Sequence, residues 1–258
     1  MNGWRVVVTR PVEHVERLAA KLRTLGIEPV AVPTISYEPP ATYGPLDDAI
    51  RNLNQYQWVL FSSRTGVRVF FERVAAKGRR LPHHLRWAAV GPGTAEVLHA
   101  YGAEHVWVPS QYLTATLGEK LPARHGERVL RIRPEAASPL SAERLRSRGV
   151  EVNEIVAYRT TEGPLESVPL LRKAFASGVD AIIFTSASTA RGFARLIQFA
   201  GLNDEVAALT LIALGPVTAD AIRALGWPVH FVADEHSVDG ISELLRRRQS
   251  DAAGISRG

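Results

Sequence analysis

One feature limits the fold of this chain more than any other: its second half repeats its first. WRVVVTRP (4–11) returns as ERVLRIRP (127–134), so Pro134 follows Pro11 by 123 residues. LRTLGIEP (22–29) returns as LRSRGVEV (145–152), and WVLFSSRTGV (58–67) as AIIFTSASTA (181–190), both at the same offset of 123. AAVGPGTAEVLHAYG (88–102) returns as IALGPVTADAIRALG (212–226), and VWVPSQYLTATLGEKL (106–121) as HFVADEHSVDGISELL (230–245), both at 124. Five blocks in register argue for a duplication. A period this long means paired domains rather than a solenoid.

Within each copy, strand and helix alternate. Short β-branched runs predict strands at 5–9, 58–62, 87–91, 105–108, 128–132, 153–158, 181–185, 210–214 and 229–232. Helices fall between them. VEHVERLAAKLRTLG (12–26) carries an apolar stripe at Val15, Leu18, Ala19, Leu22 and Leu25 and closes on a glycine, and 65–78 closes the same way. The pattern predicts an α/β fold with parallel sheets covered by helices on both faces. The extended, proline-rich stretch 30–45 and its echo 151–164 read as crossing segments. One lobe would then be 1–35 with 160–258 and the other 40–155, with a cleft between them.

Composition narrows the chemistry. The chain has no cysteine, which removes disulfides, thiolate metal sites and cysteine nucleophiles. The first residues lack the basic-then-apolar pattern of a signal peptide, and no apolar run approaches the ~20 residues of a membrane span. A cytoplasmic location is expected. The net charge is +5, and only four of the 31 basic residues are lysine. Arginine holds carboxylate and phosphate bidentately, so the excess suits an anionic partner, small or polymeric.

In open α/β sheets ligands bind beyond the C-terminal ends of the strands, where helices begin with unpaired amides and about half a positive charge. The residues expected there are Arg10; Ser62, Ser63 and Arg64; Gly93 and Thr94; Arg133; Thr185, Ser186 and Ser188; and Thr218. Hydroxyls, amides and arginines suit an anion. A plainer reading stands beside this one. Ser62, Ser63, Thr185 and Ser186 suit N-caps, and Gly-Pro-x-Thr suits a helix start with proline at N1 and a capping threonine. Arg10 and Arg133 each precede a proline expected at a helix start. Tyr158 closes a crossing strand, where packing alone would also explain it.

Other chemistry finds no support. Gly91 and Gly93 are followed by Glu96 rather than a third glycine, so the dinucleotide fingerprint is broken, and no G-K-[ST] occurs. The eight histidines show no metal-ligand spacing, and no G-x-S-x-G elbow exists. RRR (246–248) reads as the solvated end of the last helix, and 249–258 as a frayed tail.

VVVTRP, VLFSSRTGV, AVGPGTAEVL, IVAYRT, IIFTSASTARGF and IALGPVTADAIRALG, taken in that order, resemble the uroporphyrinogen-III synthase family up to about residue 248. The resemblance implies two flavodoxin-like lobes joined by a two-stranded β linker, with the active site in the cleft. It implies a cofactor-free, metal-free, monomeric hydro-lyase of tetrapyrrole biosynthesis. Its substrate would be hydroxymethylbilane, a linear tetrapyrrole with eight carboxylates. The enzyme removes water, closes the ring and inverts ring D. Tyr158 matches the family's proposed acid, and Ser63, Thr94, Ser186 and Thr218 match its carboxylate-binding positions. Nucleic acid and membrane are not expected partners; a transient contact with the enzyme that makes hydroxymethylbilane is. The rival readings are a non-enzymatic two-lobed anion-binding or sensor protein and a sugar-nucleotide transferase, the latter disfavoured by the failed nucleotide loop.

Overall fold

The computed structural model describes residues 3–111 and 114–255. The chain opens with β1 (Arg5–Val8), α1 (Glu16–Thr24), β2 (Glu28–Ala31) and β3 (Ile35–Glu38). It continues with α2 (Gly44–Arg51), β4 (Trp58–Phe61), α3 (Arg64–Ala76), β5 (Arg86–Ala89), α4 (Pro92–Ala100), β6 (Val106–Trp107) and α5 (Thr114–Lys120). β7 (Arg128–Pro134), α6 (Leu140–Ser147) and the long β8 (Glu151–Glu162) follow. The last stretch holds α7 (Val168–Ala176), β9 (Ala181–Phe184), α8 (Ala187–Ala200), β10 (Thr210–Ala213), α9 (Pro216–Ala224), β11 (Phe231–Val232) and α10 (Val238–Ile255). Two compact units result. Unit 1 is residues 1–37 with 161–258, and unit 2 is residues 38–160.

Unit 1 holds a five-stranded sheet of order β11-β10-β9-β1-β2, parallel throughout. Alternation along its strands feeds two cores. Val7, Ile182, Phe184, Leu211 and Ala213 point to one face, against Leu171 of α7, Phe193, Leu196 and Ile197 of α8, and Ile222 of α9. Val6, Val8, Ile183 and Ile212 point to the other, against Leu18 and Leu22 of α1 and Ile241 and Leu245 of α10. Both faces are buried, so the central strands carry near-continuous apolar runs, VVV in β1, AIIF in β9 and LIA in β10. Burial of one such large side chain contributes about 2–3 kcal/mol.

The second sheet has the order β3-β8-β7-β4-β5-β6. On one face Trp58, Leu60 and Val129 pack with Leu117 and Leu121 of α5 and Leu145 of α6. An aromatic cluster marks α3 and its neighbours. Phe61 meets Phe70 at 5.4 Å, Phe70 meets Phe71 at 5.4 Å, and Phe71 stacks on Tyr101 at 4.5 Å. Numbered from β7 as its first strand, this sheet runs 2-1-3-4-5 through β8-β7-β4-β5-β6. Numbered from β1, the other runs 2-1-3-4-5 through β2-β1-β9-β10-β11. That is the flavodoxin-type order, with its switch point between strands 1 and 3.

Several local expectations are corrected. β2, with the sequence EPVA, was not expected as a strand; it lies at a sheet edge, where a proline is tolerated. β6 and β11 are only two residues long, as edge strands often are. Pro134 does not start a helix. It ends β7 opposite Tyr158, where the register shifts, and α6 begins only at Leu140; a residue lacking an N–H is at home at such an irregularity. RRR is not the end of the last helix either, since α10 continues to Ile255. Glu243 holds Arg246 and Arg247 at helical spacing, and Gln249 donates to the Leu25 carbonyl. The final residues of the expected tail, 256–258, lie outside the described residues. No helix among the described residues is long and apolar enough to cross a membrane.

Candidate active site

The switch point of unit 2 lies between β7 and β4, and the loops after those strands carry Arg133 and Ser62–Arg64. Ser63 leaves the strand with extended backbone (φ −160°, ψ 153°) and caps α3, its Oγ accepting the Gly66 N–H at 3.0 Å. Tyr158 projects from β8 and is 5% exposed. Its hydroxyl donates to the same Ser63 Oγ at 2.9 Å. One serine oxygen thus receives a helix amide and a phenol. Ser62 makes no cap; its Oγ is buried with no hydrogen-bond partner among the described residues.

Arg64, the first residue of α3, turns toward the next loop and donates from Nε to the Gly93 carbonyl at 3.0 Å. That loop starts α4 with Gly91 as cap and Pro92 at N1, as the Gly-Pro pattern predicts. Thr94 is not the cap. It sits at the third helical position and is buried. Arg133 is engaged by its own surroundings: Nη1 donates to the carbonyls of Pro134 and Glu135 at 2.9 and 2.8 Å. Its Nε stands 3.2 Å from Glu154, off the direction of a hydrogen bond. Glu154 also pairs with Arg146 and with Arg131. Arg131 is 1% exposed. Burial pushes its guanidinium below the usual arginine range, and the Glu154 carboxylate opposes that shift.

Unit 1 has its switch point between β1 and β9, flanked by Arg10 and by Thr185–Ser188. Ser186 caps α8 in a reciprocal capping box. Its Oγ accepts the Thr189 N–H at 3.2 Å, while Thr189 Oγ1 accepts the Ser186 N–H at 3.1 Å. Thr189 Oγ1 also accepts the Thr185 N–H at 3.2 Å, and Ser186 and Ser188 share a 2.9 Å hydrogen bond. Thr185 itself does not cap. α9 opens like α4, with Gly215 as cap, Pro216 at N1 and a buried Thr218 at the third position.

Residues the sequence reading missed hold these loops in place. Thr9 Oγ1 donates to the Ile183 carbonyl at 2.7 Å. Thr34 Oγ1 reaches the carbonyls of Thr9 at 3.1 Å and Thr189 at 2.8 Å. Both threonines are fully buried. The Ser-x-x-Thr spacing of 186–189 was a readable capping signal; nothing local marks Thr9 or Thr34.

The uroporphyrinogen-III synthase HemD family model matches residues 16–243. A uroporphyrinogen-III synthase of Synechococcus elongatus is 28% identical over 250 residues, covering 93% of each chain. That of Escherichia coli is 24% identical over 244 residues, covering 93% of this chain and 99% of its own. A mutant uroporphyrinogen III synthase from Thermus thermophilus, solved by crystallography, superposes with a TM-score of 0.63 at 24% identity. It covers 97% of this chain and 100% of its own, a likeness that speaks to the fold. With nearly the whole length matched by one family, this chain belongs to the uroporphyrinogen-III synthase family.

Proposed function

We propose that the chain is a cofactor-free hydro-lyase that converts hydroxymethylbilane to uroporphyrinogen III. The family match over residues 16–243 carries this reading. The C–O bond of the hydroxymethyl group breaks, and water leaves with a proton supplied by the enzyme. The resulting azafulvene is attacked by the substituted end of ring D. The spiro intermediate then breaks and recloses with ring D reversed, and loss of a proton restores the pyrrole.

Tyr158 is the proton donor in this reading. Its hydroxyl already points its proton at a polar partner, Ser63 Oγ, at a switch-point loop. An ordinary phenol titrates near 10, a weak acid at neutral pH, so the contribution is modest: about ten- to a hundredfold. Ser63, Thr94, Ser186 and Thr218, with the amides at the starts of α3, α4, α8 and α9, receive the acetates and propionates, and Arg10, Arg64 and Arg133 complement their charge. Because the substrate closes spontaneously to the uninverted isomer, control of its shape is the main task. A cytoplasmic location, a monomeric state and a brief handover from the enzyme releasing hydroxymethylbilane belong to the same reading. So does an origin of the two units by duplication, which their shared strand order supports.

The test is to supply freshly made hydroxymethylbilane and resolve the product isomers. Predominant type III product is expected. Only type I product, matching a protein-free control, rejects the synthase reading in favour of a binding or sensor role.

A further inference from the structure

Gly93 is a glycine for reasons of space. It is not among the glycines with positive φ, so its backbone would accept any residue. A Cβ at this position would lie 2.9 Å from both Cζ and Nε of Arg64, and closer still to Nη2. The missing side chain is what lets the Nε–Nη2 edge of the guanidinium come against the first turn of α4, with Nε tied to the Gly93 carbonyl.

The corresponding loops of unit 1 vary together in the opposite sense. At the first position of α8, where α3 has Arg64, stands Ala187. At the second position of α9, where α4 has Gly93, stands Val217, 75% exposed. Arginine goes with glycine, and alanine with valine.

Arg64 is also placed against its electrostatic preference. It begins one helix and lies across the start of another, and both ends are positive poles. No ion pair compensates it among the described residues. A cation held at two positive poles by a single carbonyl forms a site that an anion completes.

We propose that Gly93 is a positioning residue for Arg64: its bare Cα docks the guanidinium so that the Nη groups are presented to one substrate carboxylate. This rests on the tetrapyrrole reading above, and it concerns substrate capture rather than the chemical step. Arg64→Ala, Gly93→Ala and the double variant are compared for formation of type III product, with thermal melts as a control on folding. Arg64→Ala should raise KM about tenfold with kcat within about twofold, as for loss of one charge-assisted contact. Gly93→Ala should do the same. The double variant should be no worse than Arg64→Ala, because the added methyl then has nothing to displace. Arg64→Ala/Gly93→Val, which installs the pair found in unit 1, should melt within a few degrees of Arg64→Ala.

Gly93→Ala with normal KM beside an impaired Arg64→Ala overturns the positioning role and leaves the function intact. Additive KM effects in the double variant overturn it too, since the methyl would then act through something other than Arg64. A normal KM in Arg64→Ala removes the guanidinium from substrate capture altogether. None of these results bears on whether the wild-type chain makes type III product, which the isomer assay decides.

Discussion

The two units share a strand order and the plan of their loops, yet they occupy those loops differently. In unit 1 the loop after β9 is closed on itself. Ser186 and Thr189 satisfy each other, Thr189 takes a second amide, and Thr34 ties the neighbouring loop to the same residue. In unit 2 the equivalent serine, Ser63, keeps the cap, but glycine stands at 66 where unit 1 has Thr189. Ser63 Oγ takes the hydroxyl of Tyr158, which arrives from another strand, where Ser186 Oγ in unit 1 shares a hydrogen bond with Ser188 from its own helix. The same anion-friendly scaffold therefore gives two kinds of loop, one whose side chains satisfy each other and one that takes a phenol from β8 and lays an arginine across its neighbour.

The sharpest way to break this comparison is Tyr158→Phe. It should lower turnover about ten- to a hundredfold while leaving the melting temperature nearly unchanged, read by rates of type III formation and a thermal scan. Wild-type turnover would reject Tyr158 as the proton donor.

A second contrast concerns stability. Unit 2 joins α2 to α3 through Asp47, which accepts from Arg73 at 2.9 and 2.6 Å and pairs with Lys77 at 2.9 Å. The positions 123 residues further on are Leu170 and Leu196. Hydrogen bonds from Arg73 pull the Asp47 carboxyl down from 3.8 to about 2. A depressed carboxylate stabilises the fold above its unfolded value, and this contribution is lost as pH falls from about 4 to about 2. Asp47→Asn should cost about 1–2 kcal/mol at neutral pH. Its deficit should shrink over that acid window, as followed by denaturant midpoints at several pH values. A deficit unchanged down to pH 2 would mean that the carboxylate charge is not what counts.

The smallest expected effects come from the two caps. Ser186→Ala should cost about 1 kcal/mol of stability and little turnover. Ser63→Ala should cost a similar amount of stability, with a turnover loss below that of Tyr158→Phe, since helix amides remain to bind carboxylates. A thousandfold loss in either would contradict that division of labour.

Much of this was legible in the sequence, and the reason is local. Alternating β-branched runs and apolar stripes mark strands and helices because side-chain period follows backbone geometry. Gly26 and Gly78 mark helix ends because their positive φ favours glycine, and Gly-Pro marks the starts of α4 and α9. The parallel α/β class and the strand-end loops followed from those signals. What stayed hidden depends on neighbours distant in the chain. A threonine at position 94 or 218 reads as a cap until the helix is seen to begin ahead of it, at the Gly-Pro step. Arg133 reads as a free cation until Glu154 and two carbonyls are found around it. The edge strand β2 was hidden by its own proline.

The amino-acid order by itself determined the element types, the loops where helices begin and the family to which the chain belongs, because each is written in short-range pattern. Only the tertiary structure decided which strands flank each switch point, that Tyr158 meets Ser63 rather than the core alone, and that Gly93 makes room for Arg64. Those pairings span 95 residues in one case and 29 in the other, and no local preference encodes them. They arise when sheet order brings separate strand ends side by side.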